Sequence, residues 1–374
     1  MKKNLMIALT LSLCASLTIP ASAATGLLLL NWVHTSAGMG DGSQVPSYPD
    51  TYAFAFSPNY AADNTVYAGT YIGIFKSTDK GLTWTNKTTS TLPAINSLSV
   101  SPADPSGNTL IAGTEDTILK TTNRWDSPPG GIGPNSLSVS LAVYSPDYVH
   151  DHMIFAGTDG FGIRALTDSV SSVWWSVDEM TVLGKIVGIV FDPNYAINHI
   201  FYVASYGYGV YKGNGGSNLS SWSWTELNTG LDTANKKFVN AIAMSPNFAV
   251  DQTLFIATDS VGIYKSTDAG KHWNVANDHD AFQTLLFSPN YATDRTIYAG
   301  ENGSGVYRST DGGVTWKQMN HGFADPAHGG ALLTLAFAPG KPTNLFAGFF
   351  GGPDGGVWQF LLPSNRVFLP LVIR

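Results

Sequence analysis

One phrase recurs along this chain, and its recurrence constrains the fold more than any other feature. The stretch FSPNYATDRTIYAG at 287–300 returns, with substitutions, at 56–69, 144–157, 191–204 and 244–257. Alignment on its Ser-Pro dipeptide, or the substitute for it, gives starts about 43–53 residues apart. Such a period is typical of an array of similar supersecondary units. The starts are Ser57, Ser101, Ser145, Asp192, Ser245, Ser288 and Ala338.

Each unit carries four strand signals separated by Gly, Asp and Asn turns. In the sixth unit these are the apolar run 284–287, the segments 297–300 and 305–308, and a strand beginning at Trp316. The first signal is nearly continuous in apolar residues, as in strands covered on both faces. Seven such units predict an all-β chain: a single seven-bladed β-propeller with four antiparallel strands per blade. The phrase itself is interpreted as a structural turn that every blade needs.

The N-terminus has the pattern of a secretory signal peptide. Lys2 and Lys3 precede an apolar stretch, and Ala21-Ser22-Ala23 forms a small-residue cleavage site. Cleavage near Ala23 would remove Cys14, the only cysteine, so no disulfide is expected. No apolar run is long enough to span a bilayer. We therefore expect a secreted or cell-surface protein with residues 1–23 as signal peptide and no transmembrane segment.

A second motif links the third and fourth strands. STDKGLTW at 77–84, STDAGKHW at 266–273 and STDGGVTW at 309–316 resemble the Asp-box of the BNR (bacterial neuraminidase repeat) superfamily. This superfamily includes sialidases, xyloglucanases, sortilin-type receptors and photosystem II assembly factors, so it does not settle function. The resemblance implies a structural role for the motif residues. They are Ser77, Asp79, Gly81 and Trp84, then Ser266, Asp268, Gly270 and Trp273, then Ser309, Asp311, Gly313 and Trp316. We call 77–84, 266–273 and 309–316 the Asp-box-like segments.

The chain departs from the enzymes of this superfamily. The resemblance to sialidases implies three arginines on the substrate carboxylate, but the arginines here lie at repeated structural positions or in the tail. Xyloglucanase-like enzymes pair two propellers, whereas this sequence predicts one. The formal net charge of −7 argues against nucleic acid as a partner. We expect a non-catalytic binding or scaffolding protein, monomeric and without metal or cofactor. A glycoside hydrolase is the alternative.

Function is expected on the loops between second and third strands and between blades, because these vary while the framework repeats. Acidic and aromatic residues there suit a glycan or a protein ligand. A hydrolase would need two of the acids within about 5–10 Å. The candidate ligand-binding residues are Tyr71, Glu115, Asp116, Asp159, Phe161, Tyr206, Tyr208, Asp259, Glu301, Asn302, Phe349, Phe350 and Asp354.

Two segments, one near each end of the chain, are alternatives for the fourth strand of blade seven. The seventh unit lacks an Asp-box and its tryptophan, while 27–33 resembles a fourth strand with Trp32 in the tryptophan position. We predict that 27–33 completes blade seven, giving a propeller over residues 24–363. The tail, residues 364–374, contains an apolar stretch at 367–373 that is the competitor for that strand. Alternatively, the tail is a sorting or surface-attachment signal.

One third-strand position is basic in six units. Either these residues form an anion-binding ring, or each pairs with turn groups of its own or a neighbouring blade. His150 and His152 suggest metal binding only weakly, since no third ligand is evident. The basic residues are Lys76, Lys120, Arg164, Lys212, Lys265 and Arg308, and blade seven has Gln359.

Overall fold

The structure is a computed structural model that describes residues 32–40, 48–88, 92–168, 174–176, 184–215, 222–278, 281–323, 330–340, 344–350 and 355–361. The proposed signal peptide, the tail 364–374 and Asp354 lie outside the described residues. Of the segment 27–33, only Trp32 and Val33 are described.

Nearly all regular structure is β, and after β1 (Trp32–His34) the strands follow one another in groups. Group 1 is β2 (Thr51–Phe56), β3 (Val66–Thr70), β4 (Gly73–Ser77) and β5 (Thr85–Asn86); group 2 is β6 (Ile95–Val100), β7 (Leu110–Thr114), β8 (Ile118–Thr121) and β9 (Gly130–Gly133); group 3 is β10 (Val139–Tyr144), β11 (Met153–Thr158), β12 (Ile163–Thr167) and β13 (Trp175–Ser176). Group 4 is β14 (Lys185–Phe191), β15 (Ile200–Tyr206), β16 (Gly209–Asn214) and β17 (Ser223–Glu226); group 5 is β18 (Val239–Met244), β19 (Leu254–Thr258), β20 (Ile263–Ser266) and β21 (Asn274–Asn277); group 6 is β22 (Phe282–Phe287), β23 (Ile297–Gly303), β24 (Gly305–Ser309) and β25 (Lys317–Gln318); group 7 is β26 (Gly330–Phe337), β27 (Asn344–Phe349) and β28 (Gly356–Leu361).

Groups 1 to 5 are separate four-stranded antiparallel sheets. Groups 6 and 7 share one larger sheet, because β23 and β26 pair over Asn302–Ala331 and Gly303–Gly330. The first strand of each group lies against the first strand of the next, and β26 lies against β2. The sheets thus follow one another around a common centre, a propeller-like arrangement.

Small residues in the second strands set how closely neighbouring groups approach. A β-carbon at Gly69 would lie 2.7 Å from Cγ2 of Ile95 in group 2. Gly113, Gly157 and Gly300 meet the start of the next group's first strand in the same way. Gly348 of group 7 repeats the contact against Thr51 of group 1. The same close packing therefore joins the last group to the first.

β1 occupies the edge of group 7. It pairs antiparallel with β28, with Trp32 opposite Phe360 and His34 opposite Trp358. Trp32 is buried and stacks on Phe323 with ring centroids 5.2 Å apart. Trp32 and Val33, the described part of the predicted segment 27–33, thus lie in a strand on the sheet of group 7, the predicted blade seven.

The repeated phrase contains a one-turn helix that the sequence analysis did not anticipate. The helices are α1 (Tyr60–Asp63), α2 (Tyr148–Asp151), α3 (Tyr195–Asn198), α4 (Phe248–Asp251) and α5 (Tyr291–Asp294), and each begins with a buried aromatic side chain. In α5, Oδ1 of Asp294 accepts from the backbone N–H of Thr296 at 2.9 Å, and Oδ2 accepts from the Ser288 hydroxyl at 2.6 Å. The phrase therefore recurs because each copy forms the same one-turn helix rather than a simple β-turn.

The Asp-box-like segments share one hydrogen-bond scheme. In the third, the Ser309 hydroxyl donates to Oδ1 of Asp311 at 2.7 Å and accepts from the N–H of Gly313 at 2.9 Å. Oδ1 of Asp311 also accepts from the N–H groups of Val314 and Thr315. Partial burial raises the pKa of Asp311, but hydrogen bonds from Thr315, Ser309 and Val314 outweigh that effect and lower the pKa to about 2. The carboxylate therefore holds the turn closed as an ionised acceptor.

The phrase and the third-to-fourth-strand turn are joined within a group. The residue after each short helix has left-handed backbone geometry, and its carbonyl accepts a backbone N–H from that turn: Gly312 to Arg295, Lys80 to Asn64 and Ala269 to Gln252. Both motifs thus lie at one end of the sheets, which we call the turn face. The opposite end, made of the second-to-third-strand turns and the segments between groups, we call the loop face.

Candidate functional site

Two adjacent positions at the end of every second strand organise the loop face. The first, the strand-end position, is buried in all seven groups. The second, the rim position, is exposed in six groups and half-buried at Asp259. The strand-end residues are Thr70, Thr114, Thr158, Ser205, Thr258, Glu301 and Phe349. The rim residues are Tyr71, Glu115, Asp159, Tyr206, Asp259, Asn302 and Phe350.

The candidate residues divide into an exposed set and a buried set according to these two positions. Rim residues and the turn residues Asp116, Phe161 and Tyr208 are exposed or half-buried on the loop face. Glu301 and Phe349 instead lie inside strands, with about 5% and 1% of their surface exposed. Phe349 packs on Phe323 and Trp358 and is a core residue. The sequence analysis placed both in the loops because it ended the second strands too early: β23 runs to Gly303 and β27 to Phe349.

In four groups the strand-end residue is a threonine that closes the turn. The hydroxyl of Thr70 donates to the carbonyl of Gly73 at 2.8 Å, and that of Thr258 to Gly262 at 2.7 Å. Thr114 and Thr158 make the same bond. A hydroxyl at this position therefore fixes the turn that presents the rim side chain.

Every first strand has a β-bulge next to these turns. In six groups the register shifts after the first paired residue, as between Val239 and Ala241, and in group 4 it shifts after the second, between Ile186 and Gly188. Bulges redirect a side chain and occur next to functional sites. The Asn96 amide donates to the carbonyl of Val139 at 2.9 Å, and the Asn240 amide to that of Phe282 at 3.0 Å. These bulge residues thus tie one group to the next around the centre of the loop face.

Candidate residues of groups 4 and 5 meet in a polar and aromatic cluster. The Tyr206 hydroxyl donates to Oδ2 of Asp259 at 3.0 Å, and the Tyr206 ring lies 4.9 Å from that of Phe238. The Asn240 amide is 3.4 Å from Oδ1 of Asp259. Burial, and then the hydrogen bond to Asp259, raise the pKa of Tyr206. The tyrosine therefore stays a neutral donor, and the carboxylate has two side-chain partners.

A second cluster lies at the loop-face end of group 1. The Tyr52 hydroxyl donates to Oδ2 of Asp50 at 3.0 Å, and the N–H of Tyr71 donates to the Asp50 carbonyl at 3.1 Å. Burial, then the Asp50 hydrogen bond and charge, and then the charge of Glu115 raise the pKa of Tyr52. Asp50 and Tyr52 were not among the sequence candidates. Asp50 directly precedes the first strand, and Tyr52 is its bulge residue, between Thr51 and Ala53.

The sequence analysis also missed a motif that supports the loop face. In groups 4 and 6 an asparagine stands four residues after the tryptophan position. Its side-chain oxygen accepts a hydrogen bond from the second residue of the third strand: Asn228 from the N–H of Val210 and Asn320 from the N–H of Val306, both at 2.8 Å. Each amide then donates to a carbonyl of the second-to-third-strand turn. The signal was present as N-x-G-L at 228–231 and N-x-G-F at 320–323, with S-x-G-M at 36–39 after β1.

Three of the basic third-strand residues contact the following group on the turn face. Lys265 donates to the carbonyl of Gly312 at 2.8 Å, and Lys76 lies 3.6 Å from the Asp126 carboxylate. Lys120 pairs with Asp168. Gln359 of group 7 donates to the carbonyl of Lys80 in group 1 at 3.0 Å. These contacts favour the pairing interpretation over an anion-binding ring.

Two kinds of site are not found within the described part of the chain. No three His, Cys, Asp or Glu side chains are grouped so that they could hold a metal ion. No helix there is long and apolar enough to cross a membrane.

Comparisons with known proteins identify the fold but no family. No protein-family model matches the chain, and no curated protein matches it. Among solved structures it is similar to YCF48 bound to D1 peptide, at 16% identity, TM-score 0.59, over 86% of this chain and 96% of that one. It is similar to the GH74 xyloglucanase from Xanthomonas campestris, at 16% identity and TM-score 0.62, over 90% of this chain but 54% of the enzyme.

A third similar structure is the extracellular domain of a one-component system from B. thetaiotaomicron. The identity is 14% and the TM-score 0.64, over 89% of this chain and 40% of that one. At these identities the likeness speaks for architecture alone. Together with the four-stranded antiparallel sheets, it shows that the chain has a β-propeller fold.

Proposed function

We propose that the seven groups are the blades of one propeller over residues 24–363, with β1 as the fourth strand of the last blade. Contacts between group 7 and group 1 support closure: Gly348 against Thr51, and Gln359 on the Lys80 carbonyl. Closure by a strand from the other end of the chain would remove the open edge. We also propose that the Asp-box-like segments are true BNR repeats.

We propose that residues 1–23 are cleaved as a signal peptide and that the mature protein is secreted or on the cell surface. A similar structure being an extracellular domain supports this. The test is the N-terminal mass of the protein recovered outside the cytoplasm. Release starting at Ala24 is expected, and an intact N-terminus in that fraction would contradict the proposal.

We propose that the protein is a non-catalytic binding propeller whose ligand face is the loop face. The observation that carries this is a partition of exposed apolar side chains. Within the described residues, the exposed aromatic side chains are on the loop face, at Tyr71, Phe161, Tyr206, Tyr208 and Phe350. On the turn face the exposed apolar residues are aliphatic, at Leu82, Val149, Ile197, Val250 and Val314. Aromatic rings next to acids and amides recognise sugars and peptides.

The similar structure of YCF48 holds a peptide, which supports a protein or peptide ligand for this chain too. The test is a glycan array and a peptide array probed with the mature protein. Phe161→Ala and Tyr206→Ala should each weaken a specific signal at least tenfold. Val250→Ala, exposed on the turn face, is the matched control and should bind as the wild type does. Equal loss in all three variants would contradict a loop-face site.

A glycoside hydrolase is the second candidate, favoured by the similarity to a xyloglucanase. Its pair of carboxylates would come from Glu115, Asp116, Asp159, Asp259, Glu301 and Asp354. A polysaccharide and sialoside hydrolysis screen on the same protein separates the two. Turnover abolished by changing one of these acids would replace the binding proposal, whereas specific binding without turnover would support it.

We propose that the tail 364–374 directs sorting or surface attachment rather than completing a blade. A chain ending at residue 363 should fold and melt as the full-length protein does, but should change its distribution between medium and cell surface. Unchanged distribution with a lowered melting temperature would instead assign the tail to the fold.

A further inference from the structure

Glu301 is the one ionisable side chain at the strand-end position, which holds a threonine in four of the seven groups, Ser205 in group 4 and Phe349 in group 7. It occupies the strand-end position, where four groups have a threonine whose hydroxyl donates to the turn. An ionised carboxylate cannot donate such a bond. A departure from a repeated local rule, without evident structural gain, points to function.

One oxygen of the carboxylate is also buried without a partner. Glu301 is about 5% exposed, and within the described part of the chain its Oε2 is buried and accepts no hydrogen bond. Burying an oxygen of a charged group without a hydrogen-bond partner is unfavourable. An unsatisfied buried group in a folded protein therefore calls for an explanation, such as a ligand that supplies the missing partner.

The direction of the side chain follows from strand alternation. Ile297, Ala299 and Glu301 share one face of β23. Ile297 and Ala299 pack in a cluster with Phe255 and Ile263 of group 5. Glu301 therefore faces the boundary between groups 5 and 6.

The same boundary holds the cluster around Asp259. Phe282 pairs directly with Glu301, and the Phe282 carbonyl accepts the Asn240 amide at 3.0 Å. That amide also lies 3.4 Å from Oδ1 of Asp259, whose Oδ2 holds the Tyr206 hydroxyl. Two carboxylates from neighbouring groups thus flank one short stretch of the loop face, with the rings of Tyr206 and Phe238 beside it.

We propose that this boundary is a pocket for one cationic side chain, lysine or arginine, of a protein ligand, with Glu301 as its buried counterion. Asp259 adds a second negative charge at the rim, and Tyr206 and Phe238 offer ring faces to the alkyl stem or the cation. A cation satisfies the orphan oxygen with a charge-assisted hydrogen bond, which a neutral sugar hydroxyl does less strongly. The inference rests on the loop face being the ligand face and names the ligand chemistry that it selects.

The probes are matched peptides of one length with a single central residue: lysine, Nε-acetyllysine, arginine or glutamine in a Gly-Ser background. Nuclear magnetic resonance titration or fluorescence anisotropy measures binding. Wild-type protein should bind the lysine or arginine peptide at least tenfold more tightly than the acetyllysine and glutamine peptides. Glu301→Gln should abolish that preference, and Asp259→Asn should reduce it. Asp126→Asn, which changes an exposed acid of the turn face, is the control and should leave it unchanged.

Stability separates a binding role from a structural one. Glu301→Thr installs the residue that four groups already have, so it should melt no lower than the wild type while losing the preference for cationic peptides. A lowered melting temperature in Glu301→Thr, or an unchanged preference in both Glu301 variants, would overturn the proposal. Loop-face binding of ligands irrespective of their charge would overturn this inference while leaving the proposed function in place.

Discussion

The indole N–H of Trp32 donates to the backbone carbonyl of Met319, 2.6 Å away and 287 positions along the chain. Trp84 makes the same bond to Thr35, and Trp273 to Leu227, each at 2.7 Å. The backbone N–H of each tryptophan also bonds to a carbonyl two residues further on, at His321, Ala37 and Thr229. Trp32 therefore binds group 6 as Trp84 and Trp273 of the Asp-box-like segments bind their preceding groups, although no such segment precedes it.

Replacing these tryptophans by phenylalanine should lower the stability of the fold, because phenylalanine lacks the indole N–H donor. We expect Trp32→Phe, Trp84→Phe and Trp273→Phe each to lower the free energy of unfolding by about 1–3 kcal/mol, because a buried carbonyl loses its donor. Trp316 is the matched control, since its indole N–H has no acceptor within the described residues. Trp316→Phe should cost clearly less in urea denaturation. Equal losses at all four positions would mean that ring volume, not the hydrogen bond, matters.

The sequence predicted the repeated framework well, because each group solves the same packing problem with the same residues. The strand signals, the Asp-box-like segments and the position of Trp32 all follow from short patterns of apolar residues and glycines. The loop face was less predictable. Whether Glu301 lies in a loop or a strand depends on one residue of register, and the bulge residues range from Asn96 to Val187 without a common chemistry.

The clusters of the loop face could not be deduced from sequence for a different reason. Tyr206 and Asp259 are 53 positions apart, and their contact depends on how two sheets sit side by side. The repeat period says that they occupy equivalent positions in neighbouring groups. It does not say that the side chains meet, because other rim pairs combine different residue sizes.

Two glycines with the same backbone geometry should respond differently to a methyl group. Gly230 has φ +94°, and a β-carbon there would lie 2.3 Å from the carbonyl oxygen of Trp273. Gly160 has φ +87° and nothing within 4 Å. Gly160→Ala should cost only the conformational strain of about 1–2 kcal/mol. Gly230→Ala should cost distinctly more by thermal or urea unfolding, and comparable losses would show that the close approach relaxes freely.

Acid should unfold the protein partly through the Asp-box-like segments. The hydrogen bonds of Ser266 and His272 lower the pKa of Asp268 to about 2 against the opposing effect of burial, and Asp311 behaves alike. Because the folded pKa is depressed below the ordinary value of 3.8, the stabilisation is present above about pH 4 and is lost as the pH falls towards 2. The double variant D268N/D311N should melt lower at pH 7 but lose less between pH 4 and pH 2. If the melting temperature of the double variant fell between pH 4 and pH 2 as much as that of the wild type, the prediction would be contradicted.

The contact between Tyr206 and Asp259 should appear in the titration of the tyrosine. Burial, with the hydrogen bond and charge of Asp259, raises the pKa of Tyr206 above its ordinary value of 10.0. The neutral form is therefore favoured in the folded state, and the stabilisation is fully present below pH 10 and lost as the pH rises through the folded pKa. With ring-labelled tyrosine, the carbon-13 resonance of Cζ, identified by its absence in Tyr206→Phe, should titrate later than a model tyrosine. In Asp259→Asn its midpoint should fall, because the carboxylate that penalises tyrosinate is gone. A midpoint unmoved by that substitution would show that Asp259 does not contact the hydroxyl in solution.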